Sequence, residues 1–232
     1  MRDRIDLEAV SFAWGAAPPV LRGVTLTVRR GEIVIIGGRS GSGKSSLLEL
    51  CAGLIKPTSG KVLWDGNDIA ALPKEELFRA RQSIGYVFQV HALISNFTVF
   101  DNLALPLRNR GGLNGEAIMK RVRAEMENLM LSSGIDCRYP EALSAYECKA
   151  AALCRALIGD PTLLILDEPL SGLDPAAAER FLSVIEQRWK ERTMAVIMMN
   201  YDLSVLPHLP ARRMVLDGGK LAPYQDEFPG GA

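Results

Sequence analysis

Ile33-Val34-Ile35-Ile36-Gly37-Gly38-Arg39-Ser40-Gly41-Ser42-Gly43-Lys44-Ser45-Ser46-Leu47-Leu48-Glu49-Leu50 decides how the rest of the chain is read. The aliphatic run predicts a buried strand, the glycine-rich turn follows at once, and the leucines after it predict a helix. Glycines are needed in such a turn because the main chain must curl round a phosphate chain with its N–H groups pointing inward, where side chains would block the approach. Lys44 is then placed to reach the β- and γ-phosphates, and the Ser45 hydroxyl to bind Mg²⁺. Strand, turn and helix together set the stretch apart from a chance glycine loop, and it predicts binding of a nucleoside triphosphate.

The 232 residues, 48% of them apolar, can bury a substantial core as one domain or as a core with a subdomain. Lys+Arg and Asp+Glu are equal at 27 each, so no basic excess argues for nucleic acid or an anionic membrane surface. The charged start, Met1-Arg2-Asp3-Arg4-Ile5-Asp6, is unlike a signal peptide and no apolar run approaches a membrane span, which predicts a cytoplasmic chain. Cys51, Cys137, Cys148 and Cys154 form no Cys-x-x-Cys pair, and His91 and His208 are the only histidines. Buried reduced thiols are expected rather than a zinc site.

Outward from the loop, Ile5 to Val10 alternates like an edge strand, and Leu21 to Val28 alternates likewise. Between them Trp14 could stack on a nucleobase or simply cover a strand end. Lys61 to Gly66 predicts a strand and turn, Lys74 to Arg81 a short charged helix, and Ile84 to Gln89 a buried strand. Gln89 ends that strand where open α/β sheets bind ligands, within reach of Mg²⁺ or an attacking water. From 90 to 160 the pattern turns helical, with Glu116 to Leu131 as a long helix whose Lys120, Arg121, Arg123, Glu125 and Glu127 are expected to form its solvated face. Ser144 and Glu147 have the spacing of a capping box that starts a helix running to Leu157. Leu163-Leu164-Ile165-Leu166 then delivers Asp167 and Glu168 at a strand end, an acidic pair suited to Mg²⁺ and to polarising water against a γ-phosphate. Pro175 starts an amphipathic helix, Met194 to Met199 is a core strand, Arg213 to Leu221 a hairpin, and the tail after Phe228 is expected to fray.

Phosphate loop, strand-end glutamine, aliphatic strand with Asp-Glu, and Ser171-Gly172-Leu173-Asp174 stand in the order found in the ATP-binding subunits of ABC transporters, and the resemblance covers essentially the whole chain. It implies an α/β P-loop NTPase (RecA-like) core with an antiparallel β subdomain, residues 1–89 and 161–232, and an inserted helical subdomain at 90–160. It implies ATP and Mg²⁺ as ligands. Trp14 matches the adenine-stacking position, Gly38, Arg39, Ser40, Gly41, Ser42, Gly43, Lys44, Ser45 and Ser46 the Walker A loop and its helix start. Gln89 matches the Q-loop, Asp167 and Glu168 the Walker B pair, and Ser171 to Asp174 the D-loop. A head-to-tail homo- or heterodimer sandwiching two ATP is implied, held on the inner face of the plasma membrane by a separate permease. Phe88-Gln89-Val90-His91-Ala92-Leu93 and Thr98 to Leu107 look most like the ATPases of Mla/Mce-type lipid transporters.

Two motifs depart from the family. Where Leu-Ser-Gly-Gly-Gln is usual, Leu143-Ser144-Ala145-Tyr146-Glu147 stands. Ser144 can still donate to a γ-phosphate, but Ala145 and Tyr146 put side chains, including a phenol ring, where main chain should approach phosphate, and Glu147 adds an anion. Where Thr-His-Asp is usual stands Asn200-Tyr201-Asp202, and the phenol of Tyr201 can hydrogen-bond but does not share a proton at neutral pH as an imidazole does. Slow hydrolysis is expected. The rival reading is an ATP-binding regulatory or scaffolding subunit that dimerises without turnover.

Overall fold

Ile33, Val34, Ile35 and Ile36 are all buried, and successive residues of a strand face opposite ways, so both faces of their sheet must be covered. In the computed structural model, which describes residues 3–201, 203 and 209–225, both faces are. The readings that fall on Met1, Arg2, Asp202, His208 and the tail after Phe228 lie outside the described residues.

Strands β1 (Asp3–Phe12), β2 (Leu21–Arg29) and β3 (Ile33–Gly37) lead into helix α1 (Lys44–Cys51). Then come β4 (Ser59–Trp64), β5 (Asn67–Asp68), α2 (Lys74–Arg81) and β6 (Ile84–Val87). The stretch up to the next strand holds only helices: α3 (Val99–Arg110), α4 (Gly115–Asn128), a 3-10 turn at Pro140–Ala142, and α5 (Ala145–Leu157). Strand β7 (Leu163–Asp167), α6 (Pro175–Arg192), β8 (Ala195–Met199), β9 (Ala211–Asp217) and β10 (Lys220–Pro223) complete the order.

Two sheets result. One runs β10-β9-β3-β8-β7-β6, with β9, β3, β8, β7 and β6 parallel and β10 antiparallel at its edge. The other is antiparallel, in the order β2-β1-β4-β5. Strand β1 is therefore central in its sheet and not an edge: Ile5 pairs with Val28 on one side and Trp64 on the other. Its alternation reflects one buried face and not an unpaired border.

Val34 and Ile36 face the antiparallel sheet and α1, in one core with Leu7, Val62, Leu48 and Ile197. Ile33 and Ile35 face the other way, in a core with Leu103, Val122, Leu153, Leu166 and Phe181. The helices between β6 and β7 thus share a continuous apolar core with the parallel sheet. Gly85 lets α5 approach β6, since a Cβ there would come within 2.4 Å of the Ala156 carbonyl oxygen.

Helices α3, α4 and α6 start where the sequence supplies an oxygen. Thr98 accepts from the Asp101 N–H, Asn114 from Ala117, and Asp174 from Ala177 with Pro175 following. On helix α4, Lys120, Arg123 and Glu127 are exposed as expected, but Glu125 is 2% exposed and paired with Arg188 of α6 at 2.6 Å. Arg121 of the same helix reaches Asp160, as does Arg192 of α6. A charge on a helix turned toward a neighbouring helix reads like a solvated one until the neighbour is known. Cys51, Cys148 and Cys154 are buried, but Cys137 is exposed.

Candidate functional site

The carboxyl ends of parallel strands form the rim where such sheets gather ligands. Strand β3 hands the chain to the glycine loop, β6 leads to Gln89, β7 ends at Asp167, and β8 leads to Asn200 and Tyr201. Gly43 takes φ +99°, and a Cβ there would lie 2.8 Å from Val20 Cγ1, so the turn into α1 requires glycine. No side chain caps α1, so its first turn presents main-chain N–H groups and the positive end of the helix to the loop.

Lys44 is buried, and its Nζ donates to the carbonyl oxygens of Gly38 (2.8 Å) and Arg39 (3.1 Å) while lying 3.8 Å from Glu168 Oε1. The Ser45 hydroxyl lies beside Asp167 and favours its charged form. Burial pushes the Asp167 carboxyl above its usual range, opposed by that hydroxyl and by the Lys44 and Lys149 ammonium groups. The Ser42 hydroxyl is buried without a partner inside the loop. Glu168 leaves β7 in the left-handed region, at φ +47°. Its N–H donates to the Met199 carbonyl (3.0 Å), and its Oε2 accepts from the Tyr201 main-chain N–H (3.1 Å).

These groups share one cleft of about 480 Å³, lined on one side by Ser40, Gly41, Gly43, Lys44, Ser45 and Ser46 and on the other by Gln89, Asp167, Glu168 and Tyr201. A phosphate chain fits it by charge, through the ammonium and the helix end. A hard divalent cation fits the oxygens of Ser45, Gln89 and Asp167. Gly38, Arg39 and Ser42 belong to the loop without lining the cleft. Trp14 stands beside it, 53% exposed, edge-on to Phe12 and donating from Nε1 to the Ser46 hydroxyl (3.3 Å). Tyr201 reaches Glu168 through its main chain, while its side chain is 68% exposed.

Ser144 is exposed and lies outside the cleft lining. The expected capping box is formed: Ser144 Oγ accepts from the Glu147 N–H (3.2 Å) and Glu147 Oε2 from the Ser144 N–H (2.7 Å). Those bonds hold the Glu147 carboxyl below its usual range. The expected obstruction by Tyr146 is corrected. Its ring turns inward, the hydroxyl donating to the Leu129 carbonyl (3.1 Å) with the Arg180 guanidinium over the ring at 5.6 Å. A half-apolar side chain on the second position of a helix gains more by packing on α4 and α6 than by standing in solvent.

Lys149, one turn further along α5, was not legible as a site residue because it sits among alanines in a plain helical pattern. Its Nζ meets Glu168, Pro169 and Ser171.

The family model described as ABC transporter matches residues 21–171. The methionine import ATP-binding protein MetN 1 of Rhodopseudomonas palustris is 38% identical over 198 residues, 85% of this chain and 52% of that protein, so the chain spans about half the length of that relative. The cell division ATP-binding protein FtsE of Escherichia coli is 34% identical over 217 residues, 94% of this chain and 96% of that protein. Among solved structures, the dimeric MJ0796 bacterial ABC transporter cassette superposes with a TM-score of 0.87 at 30% identity, covering 95% of this chain and 99% of that one. A post-hydrolysis dimer of the same cassette with ADP and Pi matches to the same extent.

Proposed function

The chain belongs to the ABC transporter family as an ATP-binding subunit, and from that premise we propose that it hydrolyses Mg-ATP as one half of a dimer that drives a separate membrane permease. The observation that carries the reading is the convergence of Lys44, Ser45, Gln89, Asp167 and Glu168 on one cleft. Lys44 and the α1 N-terminus bind the phosphates. Ser45, Asp167 and Gln89 would hold Mg²⁺, which supplies charge neutralisation at the phosphates. Glu168, fixed by the Tyr201 N–H and facing Lys44, accepts a proton from the attacking water. Trp14 packs against the base.

In a head-to-tail dimer the N-terminus of α5 serves the partner's nucleotide. With Tyr146 turned inward, Ala145 and the Ser144 hydroxyl form the face offered to it, a milder departure than the sequence implies. The capping box, however, spends the main-chain N–H groups of Ser144 and Glu147 within the chain. That one observation favours a second reading, a subunit that dimerises on ATP and turns over little. Gel filtration of Glu168→Gln with Mg-ATP tests the shared premise: a nucleotide-dependent dimer supports it, and a monomer at saturating nucleotide overturns it.

No helix among the described residues is long and apolar enough to cross a membrane, so membrane attachment in this reading is through the permease. Phe78, 56% exposed, with Tyr86, Phe88 and Leu105 lines a groove of about 410 Å³ between α2, β6 and α3, and the permease contact is assigned there. The narrower reading, lipid or other hydrophobic cargo, has the Phe88 to Leu107 stretch as its support, whereas the relatives are named for methionine import and cell division. Cargo follows from the permease that co-purifies with the chain, and Phe78→Glu is expected to abolish that co-purification while leaving nucleotide binding intact.

A further inference from the structure

Lys149 lies on the signature helix but spends its charge elsewhere. An ammonium has three donors, and Lys149 Nζ directs them to the carbonyl oxygens of Glu168 (3.2 Å) and Pro169 (3.2 Å) and to Ser171 Oγ (3.1 Å). The Glu168 carbonyl also accepts from the Ser171 hydroxyl (2.9 Å) and the Ser171 N–H (3.2 Å). This turn carries backbone strain, because Glu168 sits at φ +47° without being glycine. A half-buried cation ties two of its carbonyls.

We propose that Lys149 is a positioning residue for hydrolysis, which locks the Glu168–Ser171 turn so that the Glu168 carboxylate stays between Lys44 and the Tyr201 N–H. The same side chain makes α5 a rigid strut between two functions. Its first residue adjoins Ser144, which serves the nucleotide held by the partner, and its second turn grips the turn that carries the chain's own Glu168. The inference rests on the proposed role of Glu168.

The test is steady-state ATP hydrolysis and nucleotide affinity for the full chain, its Lys149→Met and Lys149→Arg variants, Glu168→Gln, and the Lys149→Met/Glu168→Gln double variant. Loss of the tie displaces a reacting group by a fraction of an ångström or more, so Lys149→Met should lower kcat roughly ten- to hundredfold, with KM and nucleotide affinity within about threefold. Lys149→Arg, which keeps charge and several donors, should recover part of the rate. The double variant should be no slower than Glu168→Gln alone, because both act through one carboxylate. Lys149→Met within about twofold of the parent, or a full extra loss in the double variant, overturns the inference. Glu168→Gln turning over like the parent would instead overturn the role of Glu168. Amide hydrogen exchange supplies a readout independent of turnover. Lys149→Met should speed exchange at Ser171 and Leu173 about tenfold or more while leaving the 38–46 loop unchanged, and unchanged exchange at Ser171 contradicts the tie.

Discussion

Replacing Arg188 with methionine isolates the buried contact between α4 and α6. Glu125 and Arg188 side chains are 3% and 13% exposed, and the second Glu125 oxygen, Oε1, is buried without a partner. Removing the guanidinium leaves a carboxylate that must stay charged in apolar surroundings or take up a proton. Breaking such a pair typically costs about 3–5 kcal/mol. Protonation sets a ceiling: neutralising a carboxyl of ordinary pKa about 4.3 costs about 4 kcal/mol at pH 7.5 and about 1 kcal/mol at pH 5, at about 1.4 kcal/mol per unit. Burial already raises the Glu125 pKa in the intact protein, with Arg188 and Arg121 opposing it. An acid with a raised folded pKa contributes stability below its unfolded value and loses it as pH rises through the folded one. Arg188→Met should therefore cost about 3–4 kcal/mol at pH 7.5, roughly 6–15 °C in Tm, and about 1 kcal/mol at pH 5. Urea unfolding at both pH values reads this directly. Adding Glu125→Gln should return most of the loss, since the partner is then neutral. A penalty equal at the two pH values, or one below about 1 kcal/mol at the higher, refutes the reasoning.

Other expectations follow from single contacts. Tyr146→Gly, which brings the signature nearer the family pattern, should cost about 2–3 kcal/mol in urea unfolding because it strips a packed ring from α4 and α6, whereas Tyr146→Phe loses the Leu129 bond alone, about 1 kcal/mol. Ser144→Ala should lower stability by about 1 kcal/mol in the same assay. The Glu147 share of that capping box, held by a depressed pKa, is present above the ordinary glutamate range and fades as pH falls through the folded value. Trp14→Ala should weaken ATP binding roughly five- to thirtyfold by titration calorimetry while Trp14→Phe keeps most of the affinity; equal affinity in all three would make Trp14 a strand-end cover. Gly43→Ala should abolish nucleotide binding, measured the same way, because the new Cβ meets Val20.

The glycine loop, the strand carrying Asp167 and Glu168, and the capping box at Ser144 were legible because each is local: a few adjacent residues fix the main-chain path and the chemistry together. Helix α2 was read to the residue for the same reason. The central place of β1 was not legible, since alternation reports one buried face and says nothing of how many neighbours share the sheet. Glu125 and Tyr146 escaped for a related reason. Each partner, Arg188 and Arg180, lies on α6, more than thirty residues away. Lys149 was hidden differently, as an ordinary helix former whose three acceptors, Glu168 O, Pro169 O and Ser171 Oγ, exist only once β7 has turned.

The most direct test of the account is steady-state ATP hydrolysis by the purified chain beside Glu168→Gln and Tyr201→His. Mg²⁺-dependent turnover that Glu168→Gln lowers by two or more orders of magnitude, and that Tyr201→His raises, is the predicted result; tight Mg-ATP binding with no turnover in the parent or in Tyr201→His would contradict it.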